Sequence, residues 1–426
     1  MKQYDCLIVG TGPAGLGAAF HLSDMRPDLS ILLIDKSNMS TGGLRNDCKM
    51  NFSYPIGFPL EYWEREIAET MISQVSKYLK AQILGKHNIS TYQRRAQKLG
   101  VELLEIKQSH LGTDGGHILI GKLIKNIRSR GVSIFLREIM EDINEHEHII
   151  ITDKQKLSYR KLIIAPGRKG FSFLQKIMDK LGIAYVDNLV DIGIRVETRV
   201  EHYPIVRDYY DPKFLFPDKV RTFCTNSNQA YVVKEKYHAK SGKDYFTLNG
   251  HAFSEKRNGN GLVNFAFLKT VGFTSPLASG QDYAEMLGQM VMLMGGDKPL
   301  MQRVGDFRLG KRSTTDSFSG DLYDFEPTLK GCTTGDISLA MPAKIMRDIW
   351  KSMKLLDTII PGVMHPSTIM YCPEIKLYAN KPRFLDSSFQ AKKDIYLAGD
   401  GAGTSRGIIA AWASGIRAAE GILRDI

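Results

Sequence analysis

The sequence has few cysteines, and none of them is paired locally. No two form a Cys-x-x-Cys pair, and the five are widely spaced: Cys6, Cys48, Cys224, Cys332 and Cys372. This spacing excludes the local dithiol of disulfide reductases and a zinc-ribbon site, so we expect no metal centre. An odd number of scattered cysteines also favours a reducing, cytoplasmic location.

Long hydrophobic runs are missing as well. The most apolar stretch, residues 395–419, is interrupted by Asp400, Arg406 and Arg417. A membrane-spanning helix needs about 20 consecutive apolar residues. We therefore expect no integral membrane segment.

Acidic residues are outnumbered by basic ones. The chain has 57 lysines and arginines against 46 aspartates and glutamates, a net charge of +11. Such an excess is compatible with nucleic acid, a membrane surface or an anionic substrate. The basic residues are dispersed, however, and the densest group, within residues 121–130, has the spacing of a solvated helix face. A nucleic-acid partner and a membrane surface are therefore both disfavoured, and a small-molecule substrate, of which an anion is one option, is expected.

A glycine-rich turn stands between two apolar segments near the N-terminus. Residues 4–9 and 31–34 predict strands, and the turn after the first strand is Gly10, Thr11, Gly12, Pro13, Ala14 and Gly15. Glycines at these positions permit a tight turn, close approach of the backbone to a pyrophosphate, and packing of helix on strand. The sequence therefore predicts a site for an adenine dinucleotide.

The second strand ends at Asp35, about 20 residues past the last glycine, and Lys36 follows it. A carboxylate at this position accepts hydrogen bonds from a ribose diol and would repel the 2′-phosphate of NADP. FAD and NAD remain as the predicted ligands.

The C-terminal part of the chain favours FAD. Residues 394–398 predict a strand, Gly399 and Asp400 follow it, and a helix rich in small residues is predicted from Gly407 and Ile408 onward. This pattern resembles the last FAD-contacting segment of the glutathione-reductase-type flavoproteins. The resemblance implies that Asp400 holds the ribityl or phosphate region and that the helix N-terminus points at the flavin end.

A middle segment adds to this likeness. Residues 161–168, with Ala165, Gly167 and Arg168, are similar to the strand of that family that ends in Ala-Thr-Gly, although Pro166 replaces the threonine. Three distant segments are thus expected to meet at one FAD.

Other segments resemble the poorly characterised bacterial FAD-dependent dehydrogenases. Residues 42–51 are similar to their glycine-rich loop, and residues 109–114 to their His-hydrophobic-Gly-Thr-Asp segment. By this likeness Gly43, Leu44 and Asp47 are expected to contact the cofactor, whereas Cys48 is expected to be a buried packing residue. Residues 372–376 depart from the family because no Arg-Thr-Ser-Ser run follows Glu374.

Candidates for catalysis must orient substrate, supply charge or move a proton, because the flavin itself performs the hydride chemistry. His110 and Asp114 are candidates for orienting substrate or relaying a proton. Lys49 is a candidate cation for stabilising reduced, anionic flavin. Glu374 and Arg195, by the family likeness, are weaker candidates for binding an anionic substrate, and an ion pair between strands explains Arg195 equally well.

We expect an α/β fold, with a Rossmann-type FAD-binding domain and an inserted α+β substrate domain that contains an antiparallel sheet. The FAD-binding domain is assigned to residues 1–190 and 364–426, with a helical excursion at 60–111. The substrate domain is assigned to residues 191–363, in which residues 281–295 and 342–356 predict helices.

The sequence contains no second glycine turn of this kind, so no dedicated NAD(P)H domain is expected. Electrons would then pass to oxygen, a quinone or a protein, or come from NAD(P)H that visits the flavin transiently. The leading hypothesis is an FAD-dependent oxidoreductase, a dehydrogenase or reductase that transfers a hydride between a small organic substrate and flavin N5. The alternative is a flavoprotein with a non-redox or group-transfer role, such as an isomerase or a folate- and FAD-dependent nucleic-acid methyltransferase.

Overall fold

A computed structural model describes residues 2–38, 42–45, 47–187, 189–239, 242–253, 259–274, 277, 279–319, 325–378 and 380–426. Within these residues the α-helices are α1 (Pro13–Met25), α2 (Arg65–Leu79), α3 (Ile89–Lys98), α4 (Gly112–Ser129), α5 (Phe171–Leu181), α6 (Gly280–Gly295), α7 (Val304–Arg308), α8 (Ala343–Ile359) and α9 (Ile408–Asp425).

The strands alternate with these helices along the chain. In chain order they are β1 (Gln3–Val9), β2 (Ile31–Asp35), β3 (Lys49–Asn51), β4 (Glu102–Leu104), β5 (Gln108–His110), β6 (Ser133–Leu136), β7 (Met140–Asn144), β8 (Ile149–Thr152), β9 (Lys156–Ile164), β10 (Tyr185–Val186), β11 (Leu189–Arg199), β12 (Lys213–Phe216), β13 (Val220–Asn226), β14 (Gln229–Tyr237), β15 (Tyr245–Phe253), β16 (Leu262–Gly272), β17 (Leu300–Arg303), β18 (Thr333–Thr334), β19 (Ile369–Leu377), β20 (Lys381–Pro382), β21 (Gln390–Lys392) and β22 (Ile395–Leu397).

The chain divides into two compact units. The first comprises residues 1–84, 106–187 and 379–426, and the second comprises residues 85–105 and 188–378. The fold is mixed α/β, with a Rossmann-like parallel sheet in the first unit and antiparallel sheets in the second.

The first unit is built on a sheet of order β21-β22-β9-β1-β2-β6. The pairs from β22 to β6 are parallel, and β21 is antiparallel to β22. Strands β7 and β8 extend the sheet from the first part of β9. Every residue of β2 is buried, as expected for a parallel strand covered on both faces.

Alternate residues of these strands supply two separate cores. Ile8 and Leu33 pack with residues of α1 and α9 on one face. Leu7 and Leu32 pack with residues of α5 on the other face. Successive side chains of a strand point to opposite faces of the sheet. The apolar runs at residues 4–9 and 31–34 therefore supply apolar side chains to both faces.

The second unit contains a sheet of order β18-β17-β19-β11-β16-β13-β12-β4 and a separate hairpin of β14 and β15. The central strands β19, β11 and β16 are antiparallel. Helices α6 and α8 contribute apolar residues to its core, among them Leu287, Val291, Ile349 and Met353.

The boundaries between the units differ from those expected from the sequence. Strand β19 pairs along β11, so the chain returns to the first unit at residue 379 and not at 364. Strand β4 pairs with β12, which assigns residues 85–105 to the second unit. The expected helical excursion at 60–111 also contains strands β4 and β5 besides α2 and α3. All of these differences come from strand pairing between residues far apart in the sequence.

Candidate functional site

The glycine turn after β1 is constrained by contacts that only glycine permits. A Cβ at Gly10, where φ is +106°, would lie 2.3 Å from the carbonyl oxygen of Ala165. A Cβ at Gly15 would lie 1.8 Å from the carbonyl oxygen of Gly10. The turn therefore folds tightly against the end of β9, as the sequence pattern predicts.

The turn leads into the N-terminus of α1. Gly12 is the N-cap residue with an extended backbone (φ −73°), and Pro13 is the first helical residue. No side chain caps this end, and its first turn has no acidic residue. The backbone N–H groups of Ala14 and Gly15 stand in the first turn, where the helix itself offers them no acceptor. This end of α1 has the properties of an anion site.

Asp35 lies at the end of β2 and is held against the same turn. Its Oδ2 accepts hydrogen bonds from the N–H (2.8 Å) and the hydroxyl (2.7 Å) of Thr11, and its Oδ1 accepts from the N–H of Ser37 (2.8 Å). A carboxylate has about four lone-pair sites, so these bonds leave acceptor capacity for a diol. Lys36, the next residue, is exposed. The sequence analysis did not identify Thr11 as the partner of Asp35. Its position between two glycines of the motif could have indicated that its hydroxyl group belongs to the site.

The three segments expected to meet at one cofactor lie side by side. A Cβ at Gly399 (φ +83°) would come within 2.9 Å of the Cβ of Ala14. A Cβ at Gly401 would come within 2.6 Å of the carbonyl oxygen of Gly167. Together with the contact of Gly10 on Ala165, these approaches join the turns that follow β1, β9 and β22.

These turns lie at the carboxyl edge of the parallel sheet. Strand β1 has β2 on one side and β9 on the other, so the order of connection reverses at β1. In open α/β sheets, ligands bind outside the carboxyl ends of the strands at such a reversal.

Helices α1 and α9 are locked together at this edge. A Cβ at Gly17 would lie 2.3 Å from the carbonyl oxygen of Trp412, and one at Gly415 would lie 1.9 Å from that of Ala14. The hydroxyl of Ser414 accepts a hydrogen bond from the N–H of Gly399 (2.9 Å). The close packing fixes α9 against the first turn of α1.

The loop before α9 is organised by Asp400. Its Oδ1 accepts from the hydroxyl of Ser405 (2.8 Å), its Oδ2 accepts from the N–H of Gly407 (3.1 Å), and the Nε of Arg168 lies 3.7 Å from Oδ2. Burial raises the pKa of the Asp400 carboxyl, and Arg168 and these bonds oppose the rise. Gly407 (φ +87°) is the N-cap of α9, which has no side-chain cap. Asp400 therefore fixes the approach to a second uncapped helix N-terminus.

A second cluster forms where β3 pairs with β5, which sets Lys49 opposite His110. Asp47 lies between them, with Oδ1 2.6 Å from Nε2 of His110 and Oδ2 3.1 Å from Nζ of Lys49. All three side chains are nearly buried, at 9 %, 8 % and 13 % exposed respectively. Burial alone would raise the pKa of the Asp47 carboxyl, but Lys49 and His110 hold it well below its usual range.

The loop that carries Asp47 also contacts α9. A Cβ at Gly43 would lie 2.9 Å from Cγ1 of Ile408, in the first turn of that helix. Leu44 and Cys48 are buried. Burial raises the pKa of the Cys48 thiol to about 12, so the residue is an un-ionised thiol at neutral pH.

The other two catalytic candidates are placed differently. Asp114 is in the first turn of α4, where a carboxylate stabilises the helix N-terminus. Glu374 is in the second unit on β19, fully buried, with its Oε1 3.0 Å from Nη1 of Arg195, which is also fully buried. Nζ of Lys376 lies 3.4 Å from the same carboxylate. Partners of opposite charge are what two buried charges require.

The described ranges contain no helix that is long and apolar enough to cross a membrane. They also contain no group of three or more His, Cys, Asp or Glu side chains arranged to hold a metal ion.

Comparison with known proteins gives distant likenesses. No family model matches the sequence. An uncharacterized protein of Methanosarcina barkeri is 30% identical over 113 residues, a match that spans 25% of this chain and 25% of that protein. The chain thus aligns with about a quarter of the length of this curated relative.

Solved structures with a similar course of the chain include a glycine oxidase and a glycerol-3-phosphate dehydrogenase. Glycine oxidase from Bacillus cereus is 12% identical, with 99% of this chain and 96% of that one covered and a TM-score of 0.43. Glycerol-3-phosphate dehydrogenase from Bacillus halodurans, complexed with FAD, is 10% identical, with 100% and 65% covered and a TM-score of 0.41.

Proposed function

We propose that the first unit binds FAD and that the protein is a flavin-dependent oxidoreductase. The observation that carries this proposal is the pair of uncapped helix N-termini, of α1 and α9, brought together at the carboxyl edge of the parallel sheet. Such an edge suits a ligand with a pyrophosphate in its middle. The three glycine turns supply the close backbone approach that the ligand needs.

Each part of the site would hold a different part of the cofactor. The N–H groups of Ala14 and Gly15 would face the pyrophosphate, and the carboxylate of Asp35 would accept from the adenosine ribose. The loop fixed by Asp400 and the N-terminus of α9 would lie at the ribityl and flavin end. Ala165, Gly167 and Arg168 would close the site from the end of β9.

FAD supplies hydride transfer at N5 when it is bound, and the chain's own residues supply the proton and the charge. With Asp47 ionised, Nε2 of His110 would donate its hydrogen to the carboxylate, and the imidazole would be the group of the cluster that takes or gives a proton. Asp47 is ionised, fixes this tautomer, and also holds Lys49 in place.

Lys49 supplies the positive charge of the cluster. Its side chain is 13 % exposed, and its Nζ lies 3.1 Å from Oδ2 of Asp47. A cation near the pyrimidine edge of the flavin would stabilise the reduced, anionic form. The proposed substrate is a small organic molecule that exchanges a hydride with the flavin, and NAD(P)H is a candidate as a transient reductant.

Anaerobic absorbance spectroscopy of the purified protein tests this proposal. We expect a bound flavin spectrum that is bleached by a substrate or by NADH or NADPH, added in turn. His110→Gln should keep the flavin and slow its reduction by the same donor, whereas His21→Gln, at a histidine of α1 outside the cluster, should leave the rate unchanged. A flavin that every donor leaves oxidised, while the protein still turns over an isomerisation or a methyl transfer, would contradict the redox role and favour the group-transfer alternative.

A further inference from the structure

Helix α8, in the second unit, has an outer face whose charged residues are all basic. Lys344, Arg347, Lys351 and Lys354 recur every three or four residues and are exposed. This spacing places them on one side of the helix. The opposite side is apolar and belongs to the core of the unit.

The two acids of α8 offset only part of this charge. Asp348 has a side chain that is only 3 % exposed, and its Oδ2 lies 2.8 Å from Nζ of Lys269 and 3.2 Å from that of Lys344. Asp357 accepts hydrogen bonds from the N–H groups of Gly362 and Met364. Both carboxylates are therefore engaged within the unit.

A basic loop lies beside α8. Arg308 is the last residue of α7, and the loop that follows it contains Lys311 and Arg312, with Leu309 at 68 % exposed. The ring of Phe307 is 4.7 Å from that of the half-buried Trp350 of α8. This contact joins the loop and the helix into one surface.

A second exposed leucine belongs to the same surface. The side chain of Gln302 donates from Nε2 to the carbonyl of Lys311 (2.8 Å) and accepts at Oε1 from the N–H of Ile337 (2.9 Å). The turn Ile337–Leu339 is thereby tied to the basic loop, and Leu339 is 67 % exposed. Cations and projecting apolar side chains thus alternate over this part of the unit.

We define the basic face as seven cations with three apolar side chains: Arg308, Lys311, Arg312, Lys344, Arg347, Lys351 and Lys354, with Leu309, Leu339 and Trp350. Four carboxylates lie near these seven cations, those of Asp306, Asp336, Asp348 and Asp357. The face therefore keeps an excess of positive charge.

We propose that the basic face binds the surface of an anionic phospholipid bilayer. The cations pair with lipid phosphates, and the two leucines and the tryptophan enter the headgroup region. Charge attraction together with buried apolar side chains is the combination that holds peripheral proteins at a membrane. The phosphate backbone of a nucleic acid would also match the cations, but it would leave the two exposed leucines without a function. The proposal is independent of flavin binding.

Sedimentation of the holoprotein with lipid vesicles tests the proposal. We expect binding to vesicles of mixed phosphatidylcholine and phosphatidylglycerol, none to pure phosphatidylcholine, and weaker binding at higher salt. A cation near an anionic membrane contributes about fivefold to partitioning. Replacing Lys311, Arg347 and Lys351 together by glutamine should therefore weaken binding by about a hundredfold.

The matched control removes the same number of charges from another exposed helix face, on α4. Replacing Lys122, Lys125 and Arg128 by glutamine should leave vesicle binding within about twofold of wild type. A variant with Leu309→Gln and Leu339→Gln should bind several-fold more weakly and dissociate at lower salt.

Three results would overturn the proposal. The first is a wild-type protein that does not sediment with anionic vesicles. The second is an equal loss in the α4 control, which would show that only the total charge matters. The third is a DNA duplex that binds more tightly than the vesicles and depends on the same three cations, which would assign the basic face to nucleic acid.

Discussion

The N-terminus of α1 offers a substitution that separates ligand binding from folding. Gly12 is the N-cap residue and has an extended backbone that other residues adopt without strain. Aspartate is a favourable N-cap, so Gly12→Asp should stabilise the protein without ligand by a few tenths of a kcal/mol. The same carboxylate would stand where the pyrophosphate is proposed to bind.

The size of the effect on the cofactor follows from the charges. Two unit charges about 4 Å apart repel by about 4 kcal/mol at an effective dielectric of about 20. A pyrophosphate carries more than one negative charge, so FAD affinity should fall by about a thousandfold or more. Gly12→Asn has the same shape and caps the helix equally well, and it isolates the steric part of the loss.

The assay combines calorimetry of bound FAD with thermal unfolding of the stripped protein. We expect the aspartate variant to lose FAD far more than the asparagine variant, while both apoproteins unfold at or slightly above the wild-type temperature. Equal FAD affinity in the two variants would refute the placement of the pyrophosphate at α1.

Three further outcomes follow from the site and its scaffold. His110→Gln should retain FAD and slow the reduction of the flavin by about a hundredfold, the usual loss when a positioned acid–base group is removed. Flavin reduction at the wild-type rate in stopped-flow measurements would assign the histidine a structural role. Because the pKa of Asp47 is lowered in the folded protein, the ionised carboxylate stabilises the fold above the usual aspartate pKa, and this stabilisation is lost as the pH falls below about 4. Asp47→Asn should therefore make the free energy of unfolding less dependent on pH in the acid range. An unchanged pH dependence would argue against the cluster. Gly415→Ala should destabilise the protein by several kcal/mol because its Cβ would lie 1.9 Å from the carbonyl oxygen of Ala14. Gly121→Ala, on α4 where a Cβ has open space, should stabilise the protein by about 0.5–1 kcal/mol. Equal effects of the two substitutions in chemical denaturation would contradict the packing of α1 on α9.

Local patterns predicted much of this structure. The helices expected at 281–295 and 342–356 correspond to α6 and α8. The glycine turn after β1 and the Gly399–Asp400 segment after β22 follow two strands that flank β9. These features depend on periodicity and on backbone positions that require glycine, and both are visible in a short window of sequence.

Features set by distant pairing were not predictable in this way. The end of the inserted unit depends on β19 pairing with β11, which no local pattern reveals. Likewise, Asp47 was expected at the cofactor, but its position between His110 and Lys49 follows from the pairing of β3 with β5. The ion pair of Glu374 with Arg195 joins residues on separate strands. The partner that neutralises each buried charge could therefore not be identified from either segment alone.

The most direct test of the account is the identity and amount of the cofactor released from the purified protein. We predict about one FAD per chain, measured by chromatography after heat denaturation and by the absorbance of the intact protein. Stoichiometric NAD, FMN in place of FAD, or a colourless protein that does not take up added FAD would contradict the assignment of the three turns to a flavin adenine dinucleotide.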